Sequence, residues 1–288
     1  MGSEMCIRDS CWTSEERAFK FREMGFLSGV NWLGIFVVVI SIGLFVWIYR
    51  HAQKMPKSRQ ILWFIVFGIL AVPGASFTFY YLHLVDPPTW YYQFRSIRGV
   101  EFVLTFIGVA GGFSAALLPR IVRSLPLAGV IMLTLVPHLK PFLGPLDDEE
   151  FKEQWSGGIC LQSTGSTCGP ASTCTILKSF GIEAKEADLA REAYSYGSGT
   201  ESWYLARAIR NRGFQAVFKR GEGLDDSIQF PAVVGVLLSG GAGHFIPILG
   251  KEGDSYVLGD PLRKKEMRTR EELEQSYEFT GFYLEITR

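Results

Sequence analysis

"CLQSTGSTCGPASTC", residues 160–174, sets three cysteines, a glutamine and a Cys-Gly-Pro turn within fifteen positions. A metal site, a disulfide and a nucleophile with its surroundings are all compatible with that spacing. The residues that follow narrow the choice. "CGPASTCTILKSFGI" puts Pro170 in a first helical turn, where its missing N–H costs nothing, then Ile176, Leu177 and Phe180 at helical spacing, then Gly181 as a stop. Cys168 is therefore expected at a helix N-terminus, where unpaired N–H groups and the positive end of the dipole favour an anion. Gly169, and Gly243 farther along, are read as positions whose missing side chains let a substrate approach.

A cysteine nucleophile needs a base. The second half of the chain contains one histidine, His244, in "GGAGHFIPILGKEGDSYVLGDP"; His51, His83 and His138 lie in or beside apolar segments. "HFIPILG" and "DSYVLGDP" around "KEG" read as a β-hairpin with a three-residue loop and Gly253 in the left-handed conformation. That register sets Gly250 opposite Asp254 and His244 opposite Asp260, with β-carbons about 5 Å apart on one face. A loop one residue shorter or longer sends Asp260 to the other face. Pro247 predicts that the His244 strand lacks a partner there or lies at a sheet edge.

Cys160, Cys168 and Cys174 are eight and six residues apart and share one histidine, which fits no short zinc-ligand pattern. No metal and no other cofactor are expected. Cys160 and Cys174 are read as two buried thiols, with a disulfide between them as the alternative.

The 288 residues are 48% hydrophobic, and the excess sits in the first half. Residues 26–49 and 61–84 carry no charge, 99–118 carry one acid, and 125–143 are apolar but interrupted by Pro137, His138 and Lys140. About 20 residues at ~1.5 Å each cross a hydrocarbon core of ~30 Å, so about four transmembrane helices are expected over residues 25–145. Pro73 and Gly74 mark a kink, and Trp32, Trp47, Trp63, Trp90, Tyr91 and Tyr92 fall near segment ends, where amphipathic rings settle. Glu101 is expected to reach headgroups or pair with Arg98, and Gly108 with Gly112 forms a weak GxxxG signal. Arg50, Lys54, Lys57, Arg59, Arg120 and Arg123 on one side against Arg95, Arg98, Lys140 and Lys152 on the other favour an extracytoplasmic second half.

Residues 146–154 are an acidic linker, and 155–288 have the size of one soluble domain. Basic and acidic residues number 29 each, with no basic stripe, so no nucleic-acid partner is expected. Helices are predicted in "EADLAREAY", "SWYLARAIRNRG" and "TREELEQSY", and strands at 214–219, 231–238, 244–249, 255–259 and "GFYLEIT". Residues 1–24 are set apart: "MCIRDS" at 5–10 resembles translated sequencing-adaptor DNA, and Met24 is the expected natural start.

Gln162 six residues before "CGPA", the "GHF" strand start and the following "DP" together resemble the peptidase C39 domain, a papain-like cysteine protease known at the front of ABC exporters that remove double-glycine leader peptides. The likeness covers about 155–288 and includes "GTESWYLARAIRNRGF". It implies an α/β papain-like domain with an antiparallel sheet, a Cys168–His244–Asp260 triad, an oxyanion hole from Gln162 and the Cys168 N–H, and a peptide or protein substrate cut after Gly-Gly. "LGKEG" lacks the Ser/Thr and upstream glycine of a Walker A motif, and the apolar segments precede the domain. The expectation is a stand-alone, bilayer-anchored thiol protease of a bacterial cell membrane, with a separate exporter as candidate partner. A non-catalytic peptide receptor and a Cys-His hydrolase of cell-wall peptides are the alternatives.

Overall fold

A computed structural model describes residues 30–82, 84, 87–225, 227–238 and 240–288. The expected tail at 1–24, the first residues of the 26–49 segment and His83 lie outside them. Helices α1 (Trp32–Ala52) and α2 (Lys57–Tyr81) are followed by a short α3 (Thr89–Arg95). A 3-10 turn at Val100–Leu104 leads into α4 (Thr105–Leu117), and another at Arg120–Val122 precedes α5 (Ser124–Leu143). Four stretches, Trp32–Ala52, Lys57–Tyr81, Val100–Leu117 and Arg120–Leu143, are long and apolar enough to cross a membrane. Val39, Ile61, Ile69 and Val72 point outward uncovered, as a lipid-facing surface requires.

Asn31 starts α1 by accepting from Gly34 N at 2.9 Å. The helices then pack backbone to backbone. A β-carbon on Gly108 would run into the Ser41 carbonyl, and one on Gly112 would meet the Phe45 carbonyl at 2.8 Å. The weak glycine signal therefore marks the α1–α4 contact. Pro73 stays within α2, and beside it Gly74 lets Val103 O approach to 3.0 Å of where a β-carbon would be.

The rest of the described chain folds around two sheets. Strands β1 (Gln154–Ser156) and β2 (Ile159–Leu161) form a short hairpin. Then come α6 (Cys168–Ser179), α7 (Glu186–Glu192), α8 (Ser202–Asn211), β3 (Gln215–Arg220), β4 (Ala232–Leu237), β5 (Gly243–Glu252), β6 (Ser255–Gly259), β7 (Lys265–Thr269), α9 (Arg270–Ser276) and β8 (Glu278–Thr287). The last six strands make an antiparallel sheet in the order β3-β8-β4-β5-β6-β7. Gly181 and Gly213 follow α6 and α8 with φ of 80° and 84°, the left-handed conformation that stops a helix.

Strand alternation divides the core. Val233, Leu284 and Ile286 face α6, α7 and α8, while Val234, Val236, Ile246, Ile248 and Leu258 face the opposite side with Leu273 and Tyr277. Both faces are covered, which is why β4 is buried almost throughout.

The two halves meet along α8. Trp203 is fully buried there, edge-on to Tyr80 at 5.0 Å, with the Arg95 guanidinium 4.3 Å over its ring. Glu101 is 2% exposed and pairs with Arg207 Nη1 at 2.6 Å, whereas Arg98 bonds Asn211. This corrects the expected headgroup or Arg98 partner. Sequence proximity favours Arg98, but α8 brings the Arg207 guanidinium from more than a hundred residues away, its Nη1 on Glu101 and its Nη2 on the Arg95 and Ile97 carbonyls.

Candidate active site

Cys168 opens α6, and its position is fixed from both ends of the first turn. Thr167 before it is fully buried. One turn on, Ser172 Oγ donates to Phe245 O at 3.0 Å and ties the helix to β5 beside His244. A β-carbon on Gly169 would meet Leu205 Cδ1 at 2.7 Å. Gly169 therefore serves the packing of α6 on α8, correcting its assignment to substrate approach. Gly243 is exposed with open space around it.

His244 is 5% exposed. Its Nε2 lies 3.0 Å from Asp260 Oδ1, and the Cys168 thiol is near enough to favour the charged imidazole. With Nε2 occupied, Nδ1 is the nitrogen left to the thiol. Burial pushes His244 down, but the Asp260 carboxylate and the Cys168 thiol beside it outweigh that and raise its pKa to about 9. Asp260 is 1% exposed. Desolvation works against its charge, yet the His244 contact, the Leu262 N–H at 2.9 Å and the Tyr277 hydroxyl at 2.7 Å hold it below the usual carboxylate range.

The hairpin reaches this geometry by a route different from the expected one. Its loop is two residues, Gly253 and Asp254, between the pair Glu252 and Ser255, with Gly253 at φ +60°. Gly250 faces Val257, not Asp254. A two-residue loop alone would put Asp260 on the wrong face. A register shift between Ile248 and Gly250 inserts one residue, after which Ile248 faces Leu258. The bulge restores the parity. Asp260 lies two residues beyond Leu258 and His244 four before Ile248, so both project from one face, in a diagonal rather than a directly opposed relation.

β5 is an interior strand, which corrects the edge alternative for Pro247. Its ladder with β6 ends at Ile248, while β4 continues to pair with Pro247 through Val233 and with His244 through Val236. The proline sits just past the β6 ladder, and His244 has a strand neighbour on one side only.

Gln162 follows β2. Its backbone N–H bonds Pro261 O at 3.0 Å, next to Asp260, and its Nε2 donates to Thr164 O at 2.7 Å. An amide nitrogen has two hydrogens, so one donor remains beyond Thr164. Ser163 is held by Glu186, whose carboxylate accepts from Ser163 N at 2.8 Å and Ser163 Oγ at 2.5 Å. Cys160 and Cys174 are free, fully buried thiols in mutual contact; that contact and burial push Cys174 up.

Sequence reasoning missed Tyr277, Ser172 and Glu186. The sequence reads Tyr277 as the end of a helix, whereas the helix stops at Ser276. The capping box of Thr269 and Glu272 was visible as Thr-x-x-Glu and fixes where α9 starts, hence where Tyr277 emerges beyond it. For Ser172 and Glu186 no local signal exists.

The peptidase C39 family model matches residues 158–288, the stretch that holds all of these groups. An uncharacterized protein of Methanothermobacter marburgensis is 30% identical over 130 residues, which cover 45% of this chain and 88% of that relative. The chain belongs to the peptidase C39 family. A second uncharacterized relative, from Methanothermobacter thermautotrophicus, is 28% identical over 130 residues with the same coverage. Among solved structures, the peptidase domain of Streptococcus ComA, a bi-functional ABC transporter of a quorum-sensing pathway, aligns over 44% of this chain and 95% of its own at 20% identity and a TM-score of 0.39. A double glycine motif protease from an AMS/PCAT transporter, in complex with the leader peptide, aligns over 45% and 89% at 22% identity and a TM-score of 0.39. In this C39 member the family match begins at Gly158, after four helices of membrane-crossing length.

Proposed function

We propose that the protein is a membrane-anchored cysteine endopeptidase with Cys168 as nucleophile, His244 as acid and base, and Asp260 as the group that orients His244. The observation that carries this reading is one buried imidazole held by Asp260 at 3.0 Å on Nε2, with the Cys168 thiol at the start of α6 as a neighbour that, with Asp260, favours its charged form. A peptide receptor has no use for that alignment.

In the first half-reaction the Cys168 thiolate attacks the scissile carbonyl carbon, and the carbonyl π electrons move to oxygen. The Cys168 N–H, free of intrahelical partners at the start of α6, and the second Nε2 hydrogen of Gln162 donate to that oxyanion. Such a donor is typically worth about 10²–10³ in rate. Collapse expels the amine, which takes the proton of the His244 imidazolium, and a thioester remains. In the second half-reaction water gives a proton to His244 and attacks the thioester, and Cys168 leaves as thiolate. Asp260 holds the ring throughout, itself held by Leu262 N and Tyr277.

The substrate in this reading is a peptide or protein, with cleavage after a Gly-Gly leader motif as the specificity. The catalytic half lies at the membrane face opposite the basic connections at 50–59 and 120–123, which supports an extracytoplasmic site. A reporter fused after Arg288 reads the side directly. The decisive test of the enzyme reading is labelling of the purified full chain with a thiol-reactive peptide probe, followed by turnover of Gly-Gly leader peptides and of cell-wall muropeptides. Labelling at Cys168, lost in Cys168→Ala, with leader-peptide turnover is expected. An intact protein that ignores the probe as the alanine variant does would remove the enzyme, and preferential muropeptide turnover would favour the cell-wall hydrolase.

A further inference from the structure

We infer that the substrate is itself embedded in the bilayer and is cut in the residues just outside it; this rests on the peptidase reading above. The catalytic half is held firmly to the membrane half. All four membrane-length stretches reach the same face, and each end touches α8 or the residue before it. Asn31, before α1, donates to Tyr204 OH at 3.1 Å. Tyr80, ending α2, donates to Glu201 at 3.2 Å. Glu101 pairs with Arg207, and Lys140 near the end of α5 lies 3.6 Å from Glu201. Four attachments, made to three residues of the catalytic half, Glu201, Tyr204 and Arg207, fix both height and tilt, so the site has a set position above the boundary.

That height is short. Gly144, which caps α5, accepts from Gly197 N at 2.7 Å; Gly197 O accepts from Ser166 Oγ at 2.7 Å; and Ser166 is two residues before Cys168. Two hydrogen bonds and two chain steps bound the distance from the end of the last span to the nucleophile at roughly 15–20 Å. An extended peptide covers ~3.3–3.6 Å per residue, so the thiol reaches a chain about four to six residues after it leaves the membrane. Leu84, Trp90 and Leu143, exposed by 67%, 67% and 79% at this same face, mark the depth of the boundary. A freely diffusing peptide gains nothing from such a placement. A chain anchored in the same bilayer gains effective concentration, which falls as about the −3/2 power of tether length.

The test needs no knowledge of the cleavage sequence. The full chain is reconstituted in liposomes with synthetic single-span peptides that carry an electrophilic ketone after spacers of 2, 5, 12 and 24 residues, and modification of Cys168 is timed by mass spectrometry. A soluble peptide with the same electrophile and free iodoacetamide serve as controls. The five-residue spacer is expected to label roughly tenfold faster than the 24-residue spacer and than the soluble peptide, and Glu101→Ala/Arg207→Ala is expected to flatten the spacer dependence while iodoacetamide still labels Cys168. Equal rates for all spacers and the soluble peptide, with Cys168 reactive, would overturn the juxtamembrane substrate and leave the peptidase standing. A Cys168 inert to every reagent, iodoacetamide included, would remove both.

Discussion

Tyr277 donates its phenolic hydrogen to Asp260 Oδ2 at 2.7 Å while His244 occupies Oδ1, so the carboxylate is gripped from both oxygens. Tyr277 is 3% exposed and lies immediately after α9, in extended conformation at φ −138°. Hydrogen bonds to charged groups contribute about 1.5–3 kcal/mol. Tyr277→Phe is therefore expected to lower kcat/KM by roughly tenfold, mainly in kcat. It also removes a donor that stabilises the charged carboxylate, so the acid limb of the pH profile moves to higher pH. A variant with less activity but an unmoved limb would make Tyr277 a packing residue only.

The pH dependence has two sides. His244 is raised from the ordinary 6.5 to about 9, so its stabilisation is complete below pH 6.5 and is lost as pH rises through about 9. Asp260 is held below its ordinary 3.8, so its contribution is present above that pH and is lost as pH falls through its lowered value. Thermal unfolding across pH is expected to show a plateau between about pH 4 and 6.5 with a decline on the alkaline side that His244→Gln abolishes. Peptide turnover should fall above about pH 9, where the imidazolium proton needed by the leaving amine is gone.

Gly169→Ala separates packing from substrate access. The new methyl collides with Leu205 Cδ1, and overpacking costs about 1–3 kcal/mol. The expected result is a lower Tm, partly restored by Leu205→Ala in the same chain although that change alone is destabilising. An unchanged Tm with a raised KM would return Gly169 to the substrate path.

Glu101 and Arg207 form a pair buried between the halves. Removing one partner of such a pair typically costs about 3–5 kcal/mol because the other charge stays buried, while replacing both with apolar residues is far milder. Glu101→Leu and Arg207→Leu are each expected to lower the unfolding temperature of the detergent-solubilised chain, and the double variant to recover part of the loss. Strictly additive losses would mean the two side chains do not depend on each other.

The parts of this protein legible in its sequence are those set by local pattern. The long apolar segments, the Cys168 helix with its proline and glycine limits, and the alternating strands need only their own residues. What escaped depends on distant partners or on brevity. β1 and β2 are three residues each, and β7, "KEMRT", carries too much charge to read as a strand. "TWYYQFR" of α3 has no apolar stripe of its own and reads as interfacial aromatics; Tyr92 instead packs on Trp203 and Phe218. A three-residue loop predicts His244 and Asp260 on one face; they share it because a shorter loop and an added strand residue cancel.

That cancellation constrains how the hairpin can change. Loop length at Gly253 and the extra residue near Leu249 are two odd steps whose total is even. Deleting or adding one residue at either place swings the carboxylate to the far side of the sheet, away from the imidazole. The arms of this hairpin can therefore lengthen or shorten only by paired edits, and a lineage that trims the turn by one must also iron out the strand to keep a working acid beside its histidine.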